Sequence, residues 1–313
     1  MLKMLQNNEG MDKGMNQPQI ETQTAPPVKE KSASQERWLA FYKKLAKNKA
    51  AMVGAAIVIL FVFIAILAPF LAPHDPVLTQ VTNKLQPPSA EHWLGTDHQG
   101  RDILSRIIFG ARVSLTVGIL STVLGAIVGI LLGIVSGYYG RWIDSLIMRI
   151  CDVLLAFPGI LLALAIVSVL GASTTNVIIA VAFFAVPSFA RIVRGSTLSV
   201  KKLEYVDAIK AMGASDARII FKHILPNIMS PIIVQATLYI ASAIITASAL
   251  SFLGMGTRPP TPEWGAMLSQ GRDYIRQAPH VSLFPGLVIL FVVIGFNLFG
   301  DGLRDALDPK SKK

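Results

Sequence analysis

Five long stretches without a charged side chain restrict this chain more than any other feature. They cover residues 50–73 (24 residues), 113–140 (28), 153–190 (38), 224–257 (34) and 281–300 (20). A helix rises ~1.5 Å per residue, so about 20 apolar residues cross ~30 Å of hydrocarbon. The 38-residue run is long enough for two spans. It divides most naturally at Gly171-Ala172-Ser173-Thr174-Thr175-Asn176, where small and polar residues cluster. Six transmembrane helices result, and the expected fold class is an all-α polytopic membrane protein. A single soluble core has no room for five apolar stretches of this length.

The basic residues orient the helices. Seven of the 29 Lys and Arg residues (Lys84, Arg101, Arg106, Arg112, Arg258, Arg272 and Arg276) fall in segments on one side of the membrane. The other 22 lie on the side that holds both termini and residues 203–227, which the positive-inside rule makes cytoplasmic. The net charge of +10 is therefore a signal for anionic headgroups rather than for nucleic acid. Residues 1–36 are polar, carry no apolar run and are expected to be a disordered cytoplasmic tail. The first apolar run is too long for a cleaved leader and should act as a signal-anchor. A lone Cys151 leaves no disulfide and no zinc-ligand cluster to build from cysteine.

Residues 203–227 form the longest charged segment between the later apolar runs. Leu203, Val206, Ile209 and Met212 recur at helical spacing, with Glu204, Asp207 and Lys210 on the other faces. Gly213 should close this helix in a left-handed conformation, Ser215 and Asp216 should start a second, and Pro226 should break it. Such a bent pair, held in water between two spans, is a knob that another protein can grip.

The spans carry their own signals. Gly125, Gly129, Gly133 and Gly137 recur every fourth residue and line one face of the second span. Small residues permit close helix approach in lipid, where little hydrophobic drive brings helices together. Whether the neighbour is in this chain or in a partner stays open. Arg149 and Asp152 are expected to pair or to snorkel at the inner membrane edge, and Pro158 and Pro187 to kink spans three and four. Span five is rich in polar side chains, among them Gln235, Tyr239, Ser242 and Thr246. These are candidates for a polar translocation path, with interhelical hydrogen bonding as the alternative.

The outer loops admit similar alternatives. His92, Asp97 and His98 have metal-ligand chemistry, but a turn in which Asp97 and Asp102 bind backbone or Arg101 is favoured. Pro262-Glu263-Trp264-Gly265 precedes a short helix expected over 266–277, with Trp264 either an interface anchor or part of a docking loop. Residues 303–309 read as a separate amphipathic helix on the inner surface.

The segment Asp207-Ala208-Ile209, Gly213 and Leu225-Pro226 resembles the Glu-Ala-Ala…Gly…Ile-x-Leu-Pro loop of ABC importer permeases, with thirteen residues from Gly213 to Pro226. Asp207 replaces the usual Glu, Ile209 the second Ala, and His223 stands where Ile is usual. Residues 92–102 with Arg106, 110–115, 152–158, 262–265 and 297–309 look like the C-type subunit of the dipeptide/oligopeptide subfamily. A nickel-importing branch is similar over the same motifs. The resemblance implies a type I importer permease fold: first helix and outer loop over 37–111, permease core over 112–303, and tail over 304–313. It implies further partners besides the lipid bilayer. These are a homologous second permease, two ABC ATPase subunits and an extracytoplasmic peptide-binding protein in a bacterial or archaeal cell membrane. Glu204, Asp207, Ala208, Ala211, Gly213, Ala214, Leu225 and Pro226 would then couple the chain to the ATPases.

The residues themselves agree with that division of labour. No Gly-x-x-x-x-Gly-Lys-Ser/Thr loop occurs, so no cofactor is expected on this chain, and ATP and Mg belong to the partners. No enzymatic activity of its own is expected. A proton-coupled secondary transporter is the rival class, and it would need embedded carboxylates, for which Asp152 is the nearest candidate.

Overall fold

The computed structural model describes residues 41–308. The tail expected at 1–36 and the last residues of the 304–313 segment lie outside them. The described residues are helical with no strand; one isolated bridge joins Thr96 and Asp102. Among the described residues, nine helices of eight residues or more are α1 (Lys49–Ile66), α2 (Ile103–Tyr139), α3 (Arg141–Ala156), α4 (Gly159–Leu170) and α5 (Thr174–Lys201), then α6 (Glu204–Ala211), α7 (Met229–Phe252), α8 (Trp264–Gly271) and α9 (His280–Leu307).

Five helical stretches are long and apolar enough to cross a membrane: α1, α2, α5, the run 216–252 that ends in α7, and α9. Where a sixth span is expected stands a bent helix pair. A helix of α4's length rises only about 18 Å, less than the hydrocarbon thickness. It joins α3 across Phe157-Pro158 at a bend of 91°. Pro158 thus breaks its segment outright, whereas Pro187, also expected to kink its helix, sits inside an unbroken α5. The division at 171–176 is where expected. Gly171 adopts a positive φ of 91°, and the Ser173 hydroxyl accepts from Asn176 N–H at 3.2 Å to start α5.

The glycine face of α2 packs inside the chain, against α5. A Cβ on Gly125 would collide with Ala185 Cβ, on Gly129 it would lie 2.5 Å from Phe189 Cβ, on Gly133 2.7 Å from Val193 Cβ, and on Gly137 2.8 Å from Thr197 Cβ. Partners on α5 advance by about four residues with each glycine, so the two helices stay in register over the inner half of α2. Around this seam, Val117, Ala126, Val181, Ala185 and Phe189 form one buried cluster with Tyr239 and Ala243 of α7.

The first and last spans pair through the same device. A Cβ on Gly54 would sit 2.7 Å from Gly295 O, and one on Gly302 would collide with Ala51 Cβ. The rest of α1 is largely uncovered within the chain, as expected of a lipid-facing anchor. α9 does not stop at Gly300. It continues to Leu307, so the separate tail helix expected at 303–309 is the last turn and a half of α9. Gly300 and Gly302 are small there because Leu238 and Ala51 press on them, not because the helix ends.

α2 begins ten residues before its uncharged run, at Ile103. Asp102 caps it by accepting from Ser105 N–H at 2.8 Å. Of the two charges that hid this first part, Arg106 and Arg112, the first is met locally. Arg106, 1% exposed, donates to Pro76 O at 2.9 Å and lies 3.5 Å from Asp97.

Candidate functional site

The cytoplasmic segment between α5 and α7 is built from a hinge outward. α6 ends at Ala211 with Met212 as its C-cap, and Gly213 comes next with φ of 82°. Gly213 N–H donates to Lys210 O at 3.0 Å and Ala214 N–H to Ile209 O at 3.3 Å, the two-bond closure of a left-handed helix end. Ser215 then turns the chain without a side-chain cap, and helix resumes at Asp216. Contrary to expectation, Pro226 does not break this second helix. The chain widens into a π-turn over Ile219–Ile224 and tightens into a 3-10 turn over Leu225–Ile228, and so enters α7 without leaving helical conformation. This accommodates a residue with no N–H and a ring that clashes one turn back.

The inner face of this segment is anchored. Val206, Ile219, Ile220 and Ile224 are buried against Ile134 and Tyr138 of α2 and Val193 of α5, with Ala214 and Leu225 packed alongside. Tyr138 Oη donates to Asp216 at 2.7 Å, and Lys201 Nζ donates to Tyr138 O. Asn227 Nδ2 reaches His223 O at 2.6 Å and Tyr205 Oη at 3.2 Å.

The outer face is uncovered. Glu204, Asp207, Ala208, Ala211, Gly213 and Pro226 are exposed, and so are the apolar side chains of Met212 (78%) and Phe221 (62%). Sequence reasoning misses Phe221 as part of this surface. Its place in the i, i+4 pattern that buries Ile220 and Ile224 leaves it on the opposite side, which is the signal that could have found it.

Two ion pairs brace the same end of the protein. Arg194 of α5 holds Asp144 of α3 through Nε and Nη2 at 2.5 and 2.6 Å, and Ser136 of α2 also donates to Asp144. Asp152 pairs with Arg191 of α5 at 2.8 Å. The expected Arg149–Asp152 pair is therefore replaced by a contact between helices.

The polar residues of span five are divided. Gln235 lines an open cavity of about 600 Å³ with Asn227, Ser230 and Arg304. Tyr239 is buried against Phe189, ring centroids 5.7 Å apart, with its hydroxyl 3.5 Å from Val181 O. Ser242 is exposed, and Thr246 donates to Ser242 O within its own helix at 2.9 Å.

On the outer side, Asp97 accepts from Gln99 N–H and Arg101 N–H and from Arg101 Nε at 2.7 Å, the capped turn. His98 stacks on Tyr274, and burial pushes it below its ordinary 6.5. His92 meets Asp102 at 2.9 Å, with His74 at 3.7 Å from the same oxygen. Among the described residues, the three metal-type ligands drawn within 4.8 Å are thus His74, His92 and Asp102, not His92, Asp97 and His98. Trp264 is neither interface anchor nor docking residue. It is fully buried, donates to Ile107 O at 3.0 Å and packs edge-on against Phe61. Glu263 caps α8, accepting from Gly265 N–H and Ala266 N–H at 2.9 and 2.8 Å, and burial raises its carboxyl above the usual range. That helix spans Trp264–Gly271, earlier and shorter than the 266–277 expected.

Comparison with known proteins agrees with this geometry. The family model for the binding-protein-dependent transport system inner membrane component matches residues 129–313. That for the N-terminal TM domain of oligopeptide transport permease C matches 36–88. A dipeptide transport system permease protein of Alkalihalophilus pseudofirmus is 53% identical over 288 residues, 92% of this chain and 95% of that one. A glutathione transport system permease protein of Pectobacterium atrosepticum is 49% identical over 290 residues, 92% and 96% of the two chains. An inward-facing methionine ABC transporter superposes with a TM-score of 0.53 at 19% identity, covering 66% of this chain and 98% of its own, a likeness of fold. By sequence and by fold, then, the chain belongs to the family of inner membrane components of binding-protein-dependent transport systems.

Proposed function

We propose that this chain is the permease subunit of an ATP-driven importer of di- or oligopeptides, moved by separate ATPase subunits that grip residues 203–227. A second permease and an extracytoplasmic binding protein complete the assembly. The observation that carries the reading is the two-sided construction of the 203–227 segment. Its exposed face combines Met212 and Phe221 with Glu204 and Asp207, and its other face is bolted to α2 and α5. A docking surface needs apolar anchors, and a transmitter of force needs a stiff backing. Glu204, Asp207, Ala208, Ala211, Gly213, Ala214, Leu225 and Pro226 are the proposed contact and hinge residues. The named substrates of the related permeases, dipeptides and glutathione, support a peptide cargo. Gln235, Ser242 and Thr246 remain proposed path residues, and Tyr239 would support the path from behind. The pairing of Asp152 with Arg191 gives that carboxylate a structural role and weakens a proton-coupled reading.

Uptake by the reconstituted complex tests this directly, with dipeptides, longer peptides and nickel offered in parallel. Nucleotide-dependent uptake of peptide is expected. Import driven by a pH gradient without nucleotide would overturn it.

A further inference from the structure

An open cleft of about 480 Å³ lies where the outer part of α2, the start of α5 and the segment after α7 meet. Its charged lining is Arg112 and Arg258, its hydroxyl lining includes Thr116, Ser173, Thr257 and Thr261, and no carboxylate contributes to its wall. Arg112 has neither an ion pair nor a hydrogen bond among the described residues. Arg258 is aimed rather than free. Its Nε donates to Ala172 O at 3.0 Å, which holds the side chain in the wall of the cleft and leaves its two terminal nitrogens without a partner among the described residues. Thr174 and Thr257 hydroxyls, 2.9 Å apart, stitch the two walls together. The first turn of α5 adds the positive end of a 28-residue helix on the same side.

Two guanidinium groups without a counter-charge, several hydroxyls and a helix start describe a receptor for a planar anion. Arg binds carboxylates through two parallel hydrogen bonds, a geometry that Lys does not reproduce. The cleft volume falls within the range of small-molecule sites. Resting on the peptide-import reading, we infer that this cleft is a subsite on the outer side for the C-terminal carboxylate of the incoming peptide, held between Arg112 and Arg258. The apolar Val113 wall and the hydroxyls would receive the last residue of the peptide without selecting its side chain. An anionic lipid headgroup offers related chemistry, and the two sources are separable by experiment.

The test uses the full complex, with its binding protein, in vesicles of purely zwitterionic lipid and in vesicles that also contain anionic lipid. Import of a dipeptide and of its C-terminal amide is measured for the wild type and for Arg112→Gln, Arg258→Gln and the corresponding Lys variants. The binding protein is common to all, so its own selectivity cancels. The expected result is a fall of about tenfold in import of the free acid by the Gln variants, with little change for the amide, in both lipid mixtures. The Lys variants should recover part of the loss. Equal losses for acid and amide, or none for either, would overturn the subsite, because a residue that only shapes the loop acts on both cargoes alike. An effect confined to vesicles with anionic lipid would assign the cleft to a headgroup and overturn it too. If the wild type imports neither peptide, the peptide-import reading itself fails, and that outcome is distinct from the others.

Discussion

His98 sits in a loop where almost every neighbour is already committed. Asp97 is taken by Arg101, and the imidazole lies flat on Tyr274 with ring planes 11° apart. Burial is the main cause that lowers its pKa, so the fold prefers the neutral ring. Its contribution to stability is complete above the ordinary 6.5 and is lost as the pH falls through the lower, folded value. Protection factors over residues 92–102, measured against the intrinsic exchange rate at each pH, should therefore fall as the pH drops below 6.5, and His98→Gln should remove that part of the pH dependence. An identical pH profile in the variant would refute the assignment. At this scale the sequence is only partly readable. The capped turn at Asp97 can be read from local spacing, because its partners are within four residues. The burial of Trp264 cannot, because it depends on Gly110, whose absent side chain leaves room for the indole, and nothing near Trp264 in sequence announces that space.

Elements show the opposite balance. The four-residue glycine repeat of α2 is plain in the sequence and so is its meaning, a close helix contact; only the identity of the partner requires three dimensions. Each glycine meets the next turn of α5 at a distance no Cβ tolerates. Gly129→Leu is expected to force the helices apart and to cost at least the ~1–3 kcal/mol typical of overpacking. Thermal unfolding of the detergent-purified chain reads this, and an unchanged midpoint would contradict the seam. At Gly213 the surroundings are open but the backbone is left-handed. Gly213→Ala should cost about 1 kcal/mol through conformation alone, whereas Gly213→Asn should be better tolerated. Co-purification of the ATPase subunits should weaken in the Ala variant and recover in the Asn variant; equal yields for wild type and both variants would show that the bend is not needed. The π-turn and 3-10 turn around Pro226 have no sequence signal. Proline announces a missing hydrogen bond, but whether a helix breaks or rewinds is settled by packing, here of Ile219, Ile224 and Ile228 into the α2–α5 cluster.

Across the described residues, the number of apolar segments is legible from run length, and their bounds are not wherever a buried charge interrupts the run. Arg106 conceals the first turns of α2, and the charged side of α3 conceals its share in the bent pair. The ion pairs between α3 and α5 have the same long-range character. Arg194 and Asp144 are partly exposed, so their coupling should be modest, about 1 kcal/mol in a double-mutant cycle of Arg194→Gln and Asp144→Asn. Stability measured in high salt should shrink that coupling, and a value near zero at low salt would deny the brace any role.

The seam between α2 and α5 has a mechanical corollary. Teeth that reject a single methyl group at four successive turns cannot slip, so α2 and α5 must travel as one body over the stretch from Gly125 to Gly137. Departures from α-helical winding are left to the turns between Ile219 and Ile228, where the hydrogen bonds change span. If a partner grips Met212 and Phe221 as proposed, a push there meets that body directly, through the buried Ile219, Ile220 and Ile224.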